Sequence, residues 1–240
     1  MFGELTLDGN KYPTLLRKIP DPPKTLYYKG DLDPGIFKYC LAVVGSRRAT
    51  SYGIKVIKYI FSTLSKKITI VSGFMSGIDS EAHREALKLG LKTIAVMPCG
   101  INYAHPVNQK YLYKEILESE GLILSEYSGN FEPKSWTFIK RNRIVAGLSR
   151  ATLVIESGQK SGSLITASLA HSYGREVFVV PGSIFSEYSK GNIYLNNLFA
   201  RGVDSGFQIN KYLNTNYNSG IALDYKKDPI LYTINGNQTE

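Results

Sequence analysis

The chain has few of the residues from which metal centres and disulfide frameworks are built: two cysteines and three histidines in 240 residues. Cys40 and Cys99 lie far apart with no CxxC spacing, so both read as buried free thiols at strand ends rather than as a disulfide. His83, His105 and His171 fall in separate segments, without the HxxxH or Cys/His spacing of a zinc site. No GxSxG elbow is present and no histidine stands beside an evident nucleophile, which speaks against a hydrolytic triad. The GxGxxG fingerprint is missing too, since Ser46-Arg47 follow Gly45 and the next glycine is Gly53. NAD or FAD in the usual mode is therefore not expected, and no other cofactor is implied. No apolar run approaches the roughly 18 residues of a membrane span. The N-terminus, MFGELTLDG, lacks the basic and apolar regions of a signal peptide. The expectation is a soluble, cytoplasmic protein without a metal or a membrane contact.

Positive charge is what the chain has in excess. Lys and Arg number 29 against 20 Asp and Glu, a formal net charge of +9 that suits a polyanionic partner. Hydrophobic residues at 43% and charged residues at 20% are globular values, and the length allows one sizeable core.

Residues 1–40 read as a lead-in, too often punctuated by Pro13, Pro20, Pro22, Pro23 and Pro34 for a long helix. Leu15, Leu16, Ile19, Leu26, Tyr27 and Tyr28 suit short extended pieces packed on a larger body. From Leu41, six short apolar runs begin, at 41–44, 68–71, 93–97, 122–124, 152–155 and 176–180. Each ends in small or turn-forming residues, and most are separated by a segment of helical period. Ile54, Ile57, Phe61 and Leu64 share one helical face, and Ala82, Ala86 and Leu89 repeat after Asp79, a good N-cap. Runs without polar alternation fit strands buried on both faces. Separated by helices, they predict an α/β, Rossmann-like, doubly wound and mostly parallel sheet with helices on both faces, over residues 41–210. Such a fold receives its ligand at the carboxyl ends of the strands. From residue 211 the pattern stops. LNTNYNSG reads as a linker, and 211–240 as a short C-terminal tail with at most one further strand or helix.

Three stretches carry chemistry. In GSRRATSYG, residues 45–53, a glycine after a buried strand allows a tight turn, Thr50 or Ser51 caps the next helix, and Arg47 and Arg48 stand beside orphan backbone N–H groups. That suits a phosphate; an ordinary turn with two solvated arginines fits equally. In SGFMSGIDSEAH, residues 72–83, Ser72 and Gly73 offer hydroxyl and amide donors, while Asp79 and His83 are one helical turn apart and placed to hydrogen-bond each other structurally. The richest stretch runs from Trp136 to Ala167. Trp136 and Phe138 sit among Lys140, Arg141 and Arg143, and the turn Ser161-Gly162-Ser163 starts a later helix. RNRIVAGLS puts Ile144, Val145 and Leu148 in the core and is read with Arg141 and Arg143 near a helix start. An arginine there is locally unfavourable unless an anion or a carboxylate such as Glu126 answers it.

Taken together, GSRRATSYG, SGFMSGIDSEAHREAL, TIAVMPCGINYAHPVNQKYLYKEI, GLILSEY, RNRIVAGLS and SGSLITASLA with VFVVPG after it resemble the DNA-processing protein A (DprA/Smf) family, in order and spacing, across residues 11 to about 210. The resemblance implies a single-stranded DNA-binding protein of natural transformation, a homodimer that protects incoming strands and loads RecA recombinase, without enzymatic turnover. It places the phosphate pocket at Ser46, Arg47, Ser72, Gly73, Arg141, Asn142, Ser161 and Gly162. Lys140, Arg143 and Lys160 are then neighbouring basic contacts. From residue chemistry, Arg48 adds a further charge beside Arg47, and Phe138 or Trp136 is available to stack a base. The chain departs from the family pattern at Met97-Pro98-Cys99-Gly100, at His105-Pro106 and at Phe138-Ile139. The helical and winged-helix modules of some members are not expected here. Two other readings stay open: a nucleotide-binding Rossmann-like enzyme such as a nucleotide phosphoribohydrolase, and a scaffold for the recombinase with no DNA affinity. Residues 193–201 and the segment after them are the expected dimer or recombinase surface.

Overall fold

Every residue of the strand Cys40–Val44 (β3) is buried, and its side chains alternate between two apolar layers. Leu41 and Val43 join one layer; Cys40, Ala42 and Val44 join the other. That is the period of two expected of a strand covered on both faces. The same alternation recurs in Thr93–Gly100 (β5), with Ile94 and Val96 opposite Ala95 and Met97, and in Glu176–Val179 (β8). These elements belong to a computed structural model that describes residues 1–215.

The remaining strands are Phe2–Thr6 (β1), Thr25–Gly30 (β2), Thr69–Ser72 (β4), Leu122–Tyr127 (β6), Ala151–Val154 (β7) and Arg201–Gly202 (β9). They form one sheet in the order β1-β2-β6-β5-β4-β3-β7-β8-β9. From β6 to β9 every pairing is parallel. Strands β3 to β8 lie on the six apolar runs of the sequence. The lead-in contributes more than packing: β1 and β2 form an antiparallel hairpin whose second strand pairs with β6, Tyr28 opposite Leu124. Pro13, Pro20, Pro22 and Pro23 all fall in its long connection, outside the strands.

Helices Ser51–Ser62 (α2), Ile78–Lys88 (α3), Lys110–Glu118 (α4) and Gly206–Leu213 (α8) cover the face bearing Leu41 and Val43. Thr14–Arg17 (α1), Ser135–Leu148 (α5), Gly162–Ser172 (α6) and Lys190–Leu198 (α7) cover the other. Among the described residues, no helix is long and apolar enough to cross a membrane. The C-terminal tail expected from residue 211 onward lies, past Thr215, outside the described residues.

From β3 the chain builds β4, β5 and β6 outward on one side, then returns through α5 to place β7 on the other side of β3. This reversal is the topological switch point, and a crevice opens there at the carboxyl ends of β3 and β7. Cys40 and Cys99 are buried and free. Burial pushes both thiols up to about 12, which leaves them inert as nucleophiles.

The expected Asp79–His83 hydrogen bond is absent. Helix α3 begins at Ile78 behind Gly77, so Asp79 turns back to the preceding loop, where it accepts from Met75 N at 3.3 Å. His83 is fully buried, with Nδ1 2.7 Å from Thr93 Oγ1, and burial drives its pKa down to about 3. Below about 6.5 the unfolded chain therefore takes up a proton that the native state refuses, and stability falls as the pH is lowered through that window. By pH 5 the loss is about 2 kcal/mol. Urea unfolding at neutral pH and at about pH 5 checks this: His83→Asn keeps a partner for Thr93 and is expected to lose that part of the pH dependence.

Candidate functional site

At the switch point the carboxyl ends of β3, β4 and β7 open into a cavity of about 380 Å³. Gly45 and Arg47, from the loop after β3, form one wall and Gly73 and Met75, after β4, the next. Phe138, Ile139, Arg141, Asn142 and Val145 of α5 line a third side, and Lys160, Ser161 and Gly162 the mouth at the start of α6.

Glu156 fixes the Arg47 loop. It follows β7, is buried, and accepts hydrogen bonds from both Thr50 N, at 2.9 Å, and Thr50 Oγ1. Its backbone oxygen accepts from Ser46 N at 2.7 Å, and Ser46 O accepts from Ile78 N at 3.0 Å. Thr50 then caps α2, its hydroxyl accepting from Gly53 N. One buried carboxylate thus ties the loop after β3 to the loop after β7. Arg47 is carried outward, exposed, with its guanidinium over the Phe138 ring at 5.6 Å. The His105 ring meets Phe138 edge-on at 5.8 Å.

Arg141 is built in differently. It is buried, and Nη1 donates to Gly73 O and, at 2.8 Å, to Val96 O. Burial lowers its pKa, while the neighbouring Asp79 carboxylate works in the opposite direction. A Cβ at Gly73 would lie 2.0 Å from Arg141 Nη1, so any side chain there would push the guanidinium off its carbonyl partners. Among the described residues, Asp79 is the acidic side chain lining the cavity, and burial raises its pKa against the pull of Arg141. Asn142 Nδ2 donates to Gly162 O at 3.4 Å and joins α5 to the start of α6. Ser161 caps α6, its hydroxyl accepting from Ser163 N at 3.3 Å. The α6 N-terminus, with its unpaired N–H groups and partial positive charge, therefore faces the mouth.

Helix α5 is what sorts the basic residues. It starts at Ser135, where Thr137 Oγ1 accepts from Lys134 N at 3.1 Å, so Arg141 and Arg143 lie well inside it and not near its start. The helix-dipole penalty expected for them does not arise. Phe138, Arg141, Asn142 and Val145 face the cavity at helical spacing. Trp136, Lys140 and Arg143 share a different face, toward the end of β6. Arg143 Nη2 bonds Glu126 Oε1 at 2.6 Å, its Nε is 3.2 Å from Asp21, and Lys140 Nζ is 3.3 Å from Glu126. Trp136 packs edge-on against Tyr127 and Phe131.

The structure brings Arg47, Gly73, Phe138, Arg141, Asn142, Lys160, Ser161 and Gly162 to one cavity. Ser46, Arg48, Ser72, Lys140 and Arg143 do not line it. Ser46 Oγ accepts from Arg48 N in a local turn, and Ser72, buried, donates to Val43 O at 2.6 Å. Sequence reasoning missed Glu156, whose one signal was a carboxylate directly after a buried apolar run.

Fold and site together define a doubly wound α/β protein with a cationic, aromatic-edged cleft at the switch point, suited to a phosphate-bearing ligand. The chain belongs to the DNA recombination-mediator protein A family, whose model matches residues 4–214. It is 42% identical over 209 residues to the DNA processing protein DprA of Streptococcus pneumoniae, covering 87% of this chain and 73% of that one. It is 44% identical over 188 residues to Protein Smf of Synechocystis, covering 75% of this chain and 46% of the relative, so it spans under half of that protein. The X-ray structure of the pneumococcal protein superposes with a TM-score of 0.82 at 40% identity, covering 87% of this chain and 73% of that one. The DNA processing protein A of Helicobacter pylori, solved for its single-stranded DNA binding mode, superposes with a TM-score of 0.76 at 32% identity, covering 89% and 94%.

Proposed function

We propose that this chain binds single-stranded DNA in the switch-point cleft, as a homodimer of natural transformation that protects incoming strands and passes them to RecA recombinase. One observation carries the reading: Arg47, Arg141, Lys160 and the α6 N-terminus converge on one open cavity with Phe138 at its edge. Family membership supports it, as does the DNA binding described for the Helicobacter relative. Phosphate is held by charge and by backbone N–H groups, neither of which reads base sequence, so binding is nearly sequence-independent. The exposed apolar side chains Ile184, Phe185, Tyr194 and Leu198, on and beside α7, offer a face for the second copy or for the recombinase.

The test is a salt titration of labelled single-stranded and duplex oligomers of equal length, read by fluorescence anisotropy. With about three phosphate contacts the single-strand slope of log K against log salt is about −2, so affinity drops roughly 15- to 20-fold between about 50 and 200 mM salt. A flat salt response, or equal affinity for duplex, overturns the reading. Release of free base from nucleoside monophosphates would favour the nucleotide hydrolase instead. The lining carboxylate, Asp79, is held by Met75 N beside Arg141, a poor arrangement for that chemistry.

A further inference from the structure

We propose that Trp136 and its flanking lysines, Lys134 and Lys140, form a second contact for the same strand, a base-stacking platform outside the cleft across α5. The proposal rests on the single-stranded DNA reading of the cleft and adds a site to it.

Trp136 is half exposed, at 50%, although it is the largest apolar side chain available to the core. Its neighbours form a small aromatic cluster. Tyr127 and Phe131 stack on each other at 4.6 Å with an interplanar angle of 16°, and Trp136 meets both rings edge-on, at 6.0 and 6.4 Å. Edge-on packing orients the indole while leaving much of its surface to solvent. Lys134 Nζ lies 5.7 Å from the Phe131 ring centre, and Lys140 is one helical turn from Trp136. Lys140 shares Glu126 with Arg143, and Arg143 makes the shorter bond, 2.6 against 3.3 Å. Lys140, itself exposed, can therefore leave the longer of the two contacts and turn to a phosphate while Arg143 keeps Glu126 paired. Glu126 and Asp21 are both engaged by Arg143, while Glu132, exposed between Phe131 and Lys134, is an acidic neighbour the strand has to pass. An aromatic ring with a cation on either side is the arrangement that holds a base and its phosphates without regard to sequence. Continuity with the cleft identifies the occupant. The two sites lie on different faces of the first turns of one helix, so a strand leaving Phe138 crosses about one helix width, roughly 10 Å, to reach Trp136.

Trp136 is the chain's single tryptophan, so its emission reports this site alone. An oligothymidylate of about 16 nucleotides is titrated into the full chain while label anisotropy and tryptophan emission are followed together. Both signals are expected to change with one midpoint, and an abasic oligomer of equal length to raise anisotropy without quenching. Trp136→Ala is expected to weaken the long oligomer about tenfold, Trp136→Phe to restore most of it, and a trinucleotide that fills only the cleft to bind both variants alike. Anisotropy that rises without an emission change, with Trp136→Ala binding as the wild type does, overturns the platform and leaves the cleft. Silence in both signals overturns the cleft reading, and the platform with it.

Discussion

Arg47→Ala and Arg141→Ala are expected to fail in different ways, although the two arginines line the same cavity. Arg47 is exposed and its guanidinium rests on a ring, so its loss leaves the fold as it was. What goes is a charge-assisted contact to phosphate, with roughly a tenfold to hundredfold drop in affinity. Arg141 is a wall of the cavity before it is a contact. Without it, the Gly73 and Val96 carbonyls lose a buried donor and Asp79 loses its strongest opposing charge. Stripping one partner from a buried charged group costs about 3–5 kcal/mol, which for a domain of this size is a melting point lower by roughly 10 °C. Arg141→Lys keeps the charge but not the planar fork, and is expected to recover less than half. Urea unfolding and anisotropy on the same preparations separate the cases. An Arg141→Ala protein as stable as the wild type yet unable to bind would make Arg141 a mobile phosphate ligand and refute the structural role.

The contrast shows what was legible in the sequence. Strands β3 to β8 announced themselves because a strand buried on both faces is apolar at most positions, a pattern that needs no knowledge of its neighbours. The hairpin of the lead-in was not legible. β2 reads Thr-Leu-Tyr-Tyr-Lys-Gly, a half-buried alternation whose pairing with β6 is set by a partner almost a hundred residues away. Of the site, sequence named the loops and the residue types but not their directions. Arg141 and Arg143 look equivalent in RNR; two residues along a helix is a rotation of about 200°, so one enters the cavity and the other meets Glu126. Placing the helix start at Arg141 hid this, because Ser135-Trp136-Thr137 carries no strong start signal beyond Pro133 and the Thr137 hydroxyl. Ser46 and Ser72, read as phosphate donors, have their hydroxyls bonded to backbone carbonyls, of Arg48 in the same turn and of Val43 on the neighbouring strand. Ser161 does line the mouth, with its hydroxyl engaged by Ser163 N and Ser163 Oγ.

The largest effect from the smallest change is expected at Gly77. Its backbone stands at φ +85°, where a side chain is strained by about 1–3 kcal/mol in any surroundings. A Cβ there would also come within 2.3 Å of Ser46 O and 2.5 Å of the Arg47 carbonyl, and backbone cannot swing aside as a side chain can. The Arg47 loop must move, breaking the bond from Ile78 N to Ser46 O and pulling against the Glu156 tie. Gly77→Ala is therefore expected to lose about 3 kcal/mol or more of stability and, measured where it is still folded, at least tenfold in affinity. Gly162→Ala is the matched control: a Cβ there meets nothing within 4 Å, and alanine suits the first turn of α6. Its stability is expected to match or exceed the wild type. If folded Gly77→Ala binds single-stranded DNA as tightly as the wild type, the position of Arg47 does not matter to the ligand. The phosphate would then have to be held from the α5 and α6 side of the cleft alone.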